Sequence, residues 1–114
     1  MFAFLMGLKT ISPDKLQQLL RSPEPSVVID VNSRQSWIKT HVPGASNLDP
    51  VGYRDSDLPA DKNTVLVFYC SNPMCMKAPN AARRAKKMGF NNVHVMPAGI
   101  SGWLAANLPT EEGA

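Results

Sequence analysis

Residues 64–79 read "TVLVFYCSNPMCMKAP", and the first seven of them decide the fold. Val65 to Tyr69 are five apolar residues in a row, with no position left for water. A strand with one wet face would alternate apolar and polar residues. An unbroken run of this length predicts a strand buried on both faces, as in parallel sheets. "SVVIDV" at 26–31 is a second β-branched run of the same kind, ending beside an acid.

Working outward, helices and strands take turns. "KTIS" (9–12) is a short edge strand. "SPDKLQQLLRS" (12–22) is a helix with clear start chemistry: Ser12 caps it, Pro13 takes the first helical position, and Asp14 meets the positive end of the dipole. Leu16, Leu19 and Leu20 form its apolar stripe, and Ile11 can staple onto Leu16. "SRQSWIKT" (33–40) is a short helix with Ser33 as cap. A short strand follows around Asn47 and Leu48, and residues 50–63 form a polar loop with room for one helical turn. "PNAARRAKKMGF" (79–90) is a helix with a narrow face of Ala81, Ala82, Ala85 and Met88, stopped by Gly89 with Phe90 behind it. "NVHVM" (92–96) is a strand, with His94 at a tolerated position in it. "AGISGWLAANLP" (98–109) is a glycine-rich turn and a last short helix, and residues 109–114 form a frayed tail. No hairpin dipeptide joins any two strands. The alternation predicts right-handed crossovers and an α/β domain with a mainly parallel sheet and helices on both faces.

The 114 residues suffice for one domain, spanning 1–114 with a core at about 8–108. An apolar fraction of 44% with 18% charged residues is globular composition and argues against disorder. A net charge of +3 favours small anions but brings no nucleic-acid motif with it. The apolar start "MFAFLMGLK" lacks a basic region and a cleavage site, so no signal peptide is read there, and no run is long enough to span a membrane. Two cysteines do not make a disulfide framework; they point to a reduced, cytoplasmic setting.

In parallel sheets ligands bind outside the carboxyl ends of the strands. Cys70 stands at that end of the central run, just before a short loop and a helix. Unpaired backbone N–H groups of the loop and the helix start converge there, and they lower a thiol's pKa. Cys70 is therefore the candidate nucleophile, cradled by Ser71, Asn72, Pro73, Met74, Met76 and Lys77. The bland alternative is a small buried hydrophobe. Cys75, five residues on, is either a resolving thiol that attacks a sulfur on Cys70 or a bystander in the loop wall.

"VVIDV" (27–31), "HVPGASNL" (41–48), "VLVFYC" (65–70), the Ala-Ala helix with its "GF" end (81–90) and "VHVMPAGISGW" (93–103) occur in an order that resembles a single-domain rhodanese over nearly the whole chain. The resemblance implies a five-stranded parallel sheet. It also implies a sulfurtransferase in which Cys70 carries a sulfane sulfur as a persulfide held by loop amides, with no cofactor. Its partners would be a small sulfur donor (a persulfide, a polysulfide or thiosulfate) and a thiol or cyanide acceptor, or a sulfur-relay protein. It implies neither nucleic acid nor membrane as a partner.

Several positions depart from that family. Asn32 follows Asp30-Val31 where arginine is frequent, Ser36 precedes Trp37 where an acid is frequent, and Ser71 to Met76 carry no charge, Lys77 being the first cation. A doubly charged donor such as thiosulfate wants a cation, whereas a persulfide relay needs it less. Phosphatases of the same architecture place an arginine six residues after the cysteine; here that residue is Met76, which argues against phosphoryl chemistry.

Asp30 and His41 are read as structural neighbours of the site, capping backbone and bonding across a turn. Arg83, Arg84, Lys86 and Lys87 are read as a solvated basic face. Trp37 and Trp103 are packing anchors. Met74, Cys75 and Met76 beside Cys70 admit Cu(I) as a minor alternative, but the spacing matches no zinc site, so no metal is assigned. A catalytically weak module used for protein interaction or redox relay is the rival function.

Overall fold

The computed structural model describes residues 8–114, so the first seven residues of the apolar start "MFAFLMGLK", read as no signal peptide, lie outside the described residues. Strands β1 (Lys9–Thr10), β2 (Ser26–Asp30), β3 (Ser46–Asn47), β4 (Val65–Tyr69) and β5 (Val93–Val95) form one sheet in the order β1-β5-β4-β2-β3. Every pairing is parallel. The chain crosses between strands through α1 (Pro13–Arg21), α2 (Arg34–Lys39) and α3 (Lys77–Lys87); α4 (Gly99–Ala105) follows β5. A 3₁₀ turn at Asp55–Asp57 occupies the polar loop where one helical turn was expected.

The start chemistry of α1 acts as read. Ser12 accepts a hydrogen bond from the Lys15 amide at 3.2 Å, and Ser33 does the same for Ser36 in α2. Helix α3 begins at Lys77, two residues ahead of the expected Pro79. Proline is tolerated there because first-turn residues have no intrahelical N–H bond to lose.

Strand β4 is central, between β2 and β5, and buried along its whole length. Leu66, Phe68 and Cys70 join the core beneath α3, built on Ala78, Ala81, Ala82 and Ala85. Val65, Val67 and Tyr69 face the other way, onto Leu16 of α1 and Trp103 of α4. The small alanine face lets α3 lie close on the sheet. Full burial of Leu66, Val67 and Phe68 contributes about 1.5–3 kcal/mol for each side chain.

Two expectations need correction. Residues 109–114 are not frayed: Glu111 and His41 exchange backbone hydrogen bonds at 2.9 Å, and the Gly113 amide donates to Ile38 O at 2.8 Å. Nor is the basic face of α3 wholly solvated. Arg84 is half-buried, stacked 4.5 Å from the Tyr53 ring centroid, and donates to Tyr53 O at 2.8 Å and Pro50 O at 3.4 Å. Arginine's planar guanidinium suits both contacts, and together they tie the 50–63 loop to α3. No helix among the described residues is long and apolar enough to cross a membrane.

Candidate active site

Cys70 follows directly on β4, at the carboxyl edge of the sheet, with 3% of its surface exposed. Its backbone is pinned from α4: the Ile100 amide donates to Cys70 O at 2.9 Å and the Ser101 amide to Ser71 O at 3.0 Å. The start of α4 is thus occupied in holding the cysteine loop. This approach demands Gly99. Its φ is +65°, and a Cβ there would lie 2.6 Å from the Ser71 carbonyl carbon.

A second latch comes from the β2 side. The Ser71 hydroxyl donates to Asn32 Oδ1 at 2.7 Å, and Asn47 Nδ2 donates to the carbonyls of Asp30 (3.0 Å) and Asn32 (2.9 Å). Ser71 therefore anchors the loop and does not line the cysteine pocket. Beneath it, Asp30 is fully buried and accepts from the Asn32 amide at 2.8 Å and the Tyr69 hydroxyl at 2.7 Å. The Tyr69 oxygen in turn accepts from the Val42 amide at 3.1 Å. Burial pushes the Asp30 carboxyl above its ordinary value against the pull of these donors. Burial and the Asp30 charge push the Tyr69 phenol up. Asp30 thus bonds local backbone and braces the end of β4.

The loop closes on itself through Asn72. Its side-chain oxygen accepts from the Met74 amide at 2.9 Å and its carbonyl from the Cys75 amide at 3.1 Å. That turn carries Cys75 back onto Cys70, and the two are joined as a disulfide with Cα atoms 6.4 Å apart. The reduced pair expected from composition is thus not the form described. Nor are all the loop amides free to face Cys70. Two of those amides are engaged by Asn72, and the group 3.6 Å from Cys70 Sγ is the carbonyl of Cys75.

Both cysteines open on a pocket of about 360 Å³, walled by Met76, Ala78 and Pro79 on one side and Val95, Met96 and Pro97 on the other. Asn72 and Pro73 complete its lining, and among the described residues no charged side chain lines it. Lys77 faces a different cleft, with Asn32, Arg34 and Asn47. Met74 is 86% exposed and stands outside both. Met74 thus stands apart from the other three sulfur-bearing residues of the loop, which line one pocket, and among the described residues no group of three His, Cys, Asp or Glu is placed to hold a metal ion.

His41 lies with α2 and the chain's last residues. It stacks on Trp37 at 4.8 Å, its Nδ1–H donates to Trp37 O at 2.6 Å, and Nε2 is 3.8 Å from Glu111. Those contacts bridge a turn and a tail, and its groove shares no residue with the cysteine pocket. Sequence reasoning missed Asn32 and Gly99 as loop-holding residues. The glycine-rich "AGISG" was a signal for a close approach, although not for what is approached.

The model of the Rhodanese-like domain matches residues 12–106. The chain belongs to the rhodanese-like domain family. Among curated relatives it is 31% identical over 110 residues to the uncharacterized protein YibN of Escherichia coli, covering 93% of this chain and 74% of that one. It is 34% identical over 101 residues to the HTH-type transcriptional regulator Rv0324 of Mycobacterium tuberculosis, covering 85% of this chain but only 43% of the regulator. The thiosulfate sulfurtransferase GlpE of Shewanella oneidensis is 27% identical, with 90% of this chain and 99% of that one covered. Among solved structures, the thiosulfate sulfurtransferase from Pseudomonas aeruginosa superposes with a TM-score of 0.81 at 27% identity, over 93% of this chain and 20% of that one. The BH2092 protein from Bacillus halodurans, at 24% identity and a TM-score of 0.82 over 91% of this chain and 77% of that one, shares the fold. The all-parallel five-stranded sheet with helices on both faces is thus the rhodanese-like fold, as the sequence motifs implied.

Proposed function

We propose that this rhodanese-like chain is a sulfurtransferase whose Cys70 carries a sulfane sulfur as a persulfide. The observation that carries the reading is the placement of Cys70 at the carboxyl end of the central strand, opening on a small pocket. The reaction starts from the reduced form. The Cys70 thiolate attacks the outer sulfur of the donor, the donor's sulfur–sulfur bond breaks, and the remainder leaves as a thiolate (as sulfite, when the donor is thiosulfate). An acceptor thiolate or cyanide then takes the outer sulfur and returns Cys70 to the thiolate.

The relatives bearing the name thiosulfate sulfurtransferase support the reaction class. The uncharged lining favours a small-thiol persulfide over thiosulfate or inorganic polysulfide, whose two negative charges would enter a pocket lined by no cationic side chain among the described residues. A small thiol, or the thiol of a relay protein, is the acceptor in this reading. A reducing compartment such as the cytoplasm is its natural setting, since the disulfide must be opened first.

The test is thiocyanate formation from cyanide with each of the three donors, under reducing preparation. Wild type is expected to exceed the uncatalysed background, most with a small-thiol persulfide, and Cys70→Ser to fall to that background. Transfer that survives Cys70→Ser overturns the reading.

A further inference from the structure

We infer that Cys75 is a second nucleophile that discharges the Cys70 persulfide as sulfide when no external acceptor takes its sulfur. The inference rests on the persulfide reading above and adds a second activity to the same site, reductive release of sulfide.

The first argument is placement. The two cysteines are joined, with Cα atoms 6.4 Å apart, inside the span that a disulfide tolerates. The loop that joins them is held from three sides: Ile100 and Ser101 grip its start, Asn32 grips Ser71, and Asn72 closes the turn onto Cys75. Cys75 is partly buried against the same core as Cys70, while Met74 takes the solvent-facing position between them. Reduction therefore leaves the two thiols held near each other on an anchored loop.

The second argument is electrostatic. A persulfide that waits for an acceptor holds negative charge on its outer sulfur, and N–H groups or cations would stabilise it. Here the amides of Met74 and Cys75 are bound to Asn72, a carbonyl lies 3.6 Å from Cys70 Sγ, and no cation lines the pocket. These two amides and the lining side chains thus add no stabilisation to a persulfide left waiting on Cys70.

The step balances. The Cys75 thiol gives its proton to the anionic outer sulfur of the persulfide, and the resulting Cys75 thiolate attacks Cys70 Sγ, the inner sulfur. A Cys70–Cys75 bond forms, the bond to the outer sulfur breaks, and that sulfur leaves as hydrosulfide with the electron pair. The sulfane sulfur gains two electrons, and the two cysteines lose two in becoming a disulfide. A small thiol or dithiol then reopens the disulfide by exchange, which completes a cycle from sulfane sulfur and reductant to sulfide. Until that exchange, Cys70 cannot accept another sulfur.

The experiment is a single turnover without oxygen or acceptor. Reduced protein receives about one equivalent of glutathione persulfide, and released sulfide is measured beside non-reducing peptide mapping. Wild type should release about one sulfide per chain and end with the Cys70–Cys75 disulfide, while Cys75→Ser should release it at least roughly tenfold more slowly and keep the extra sulfur on Cys70. A wild-type chain that keeps its persulfide with Cys75 free overturns the inference, with no variant needed. So does a disulfide that forms equally fast without the donor. If Cys75→Ser melts like reduced wild type but takes up no sulfur on Cys70, the transferase reading itself has failed, and that result is distinct from the other two.

Discussion

Replacing Gly99 by alanine tests how the cysteine loop is held. At φ +65° alanine costs about 1–2 kcal/mol for the left-handed backbone alone. Its Cβ would also lie 2.6 Å from the Ser71 carbonyl carbon and 2.7 Å from Asn72 N and Ser71 O. These are backbone atoms tied down by Ile100, Ser101 and Asn32, so they cannot swing aside as a flexible side chain would. Overpacking of this kind adds about 1–3 kcal/mol. Gly89 supplies the control: its φ is +100°, and nothing lies within 4 Å of a Cβ there. Gly89→Ala should therefore show backbone strain alone. Gly99→Ala should be the less stable of the two by about 1–3 kcal/mol, a gap of roughly 4–12 °C for a chain of this size. Thermal unfolding under reducing and oxidising conditions measures it. The displaced loop should also make the Cys70–Cys75 disulfide of Gly99→Ala easier to reduce in a glutathione buffer. Gly99→Ala melting at or above Gly89→Ala would refute the argument that α4 clamps the loop by close approach.

Three further outcomes follow from the polar contacts. Tyr69→Phe removes a hydroxyl that donates to buried Asp30 and accepts from the Val42 amide, so urea unfolding should show a loss of about 2–4 kcal/mol; a loss under about 1 kcal/mol would contradict that accounting. Burial raises the Asp30 carboxyl above the usual 3.8, so the folded chain holds that proton more tightly than the unfolded one. The stability this brings is fully present below 3.8 and is lost as pH rises through the raised value. The stability of wild type relative to Asp30→Asn should accordingly fall with rising pH across that window, and a flat difference would count against burial as the main cause. Arg84→Lys keeps the charge but loses the stacking on Tyr53 and the paired bonds to Pro50 and Tyr53, so stability should drop by about 1–2 kcal/mol. Limited proteolysis within residues 50–63 should then quicken, and unchanged cleavage would show that the guanidinium is not what restrains this loop.

The architecture was legible because its signals are local. Val65 to Tyr69 leave no position for water on either face, Val27 to Ile29 are a second β-branched run, and Ser12 with Pro13 marks a helix start within three residues of chain. The position of Cys70 was legible for the same reason, since strand, cysteine, loop and helix follow directly in order. Cys75 was not. Its return onto Cys70 depends on the Asn72 turn and on Asn32, which stands 39 residues before Ser71. Arg84 misled because helical periodicity assigns a side chain to a face without knowing that Tyr53 lies across from it. The last residues misled in the same way: the partner of Glu111 is His41, and nothing in "TEEGA" announces it.

The hold of α4 on Cys70 and Ser71 makes two amides into gauges of a distant event. The N–H groups of Ile100 and Ser101 exchange with solvent only when the carbonyls of the cysteine loop let go. Their deuterium uptake therefore reports how often that loop detaches, read from a helix that contains no cysteine. Comparing the two amides before and after reduction would measure, in free energy, how much the sulfur–sulfur bond contributes to keeping the loop closed.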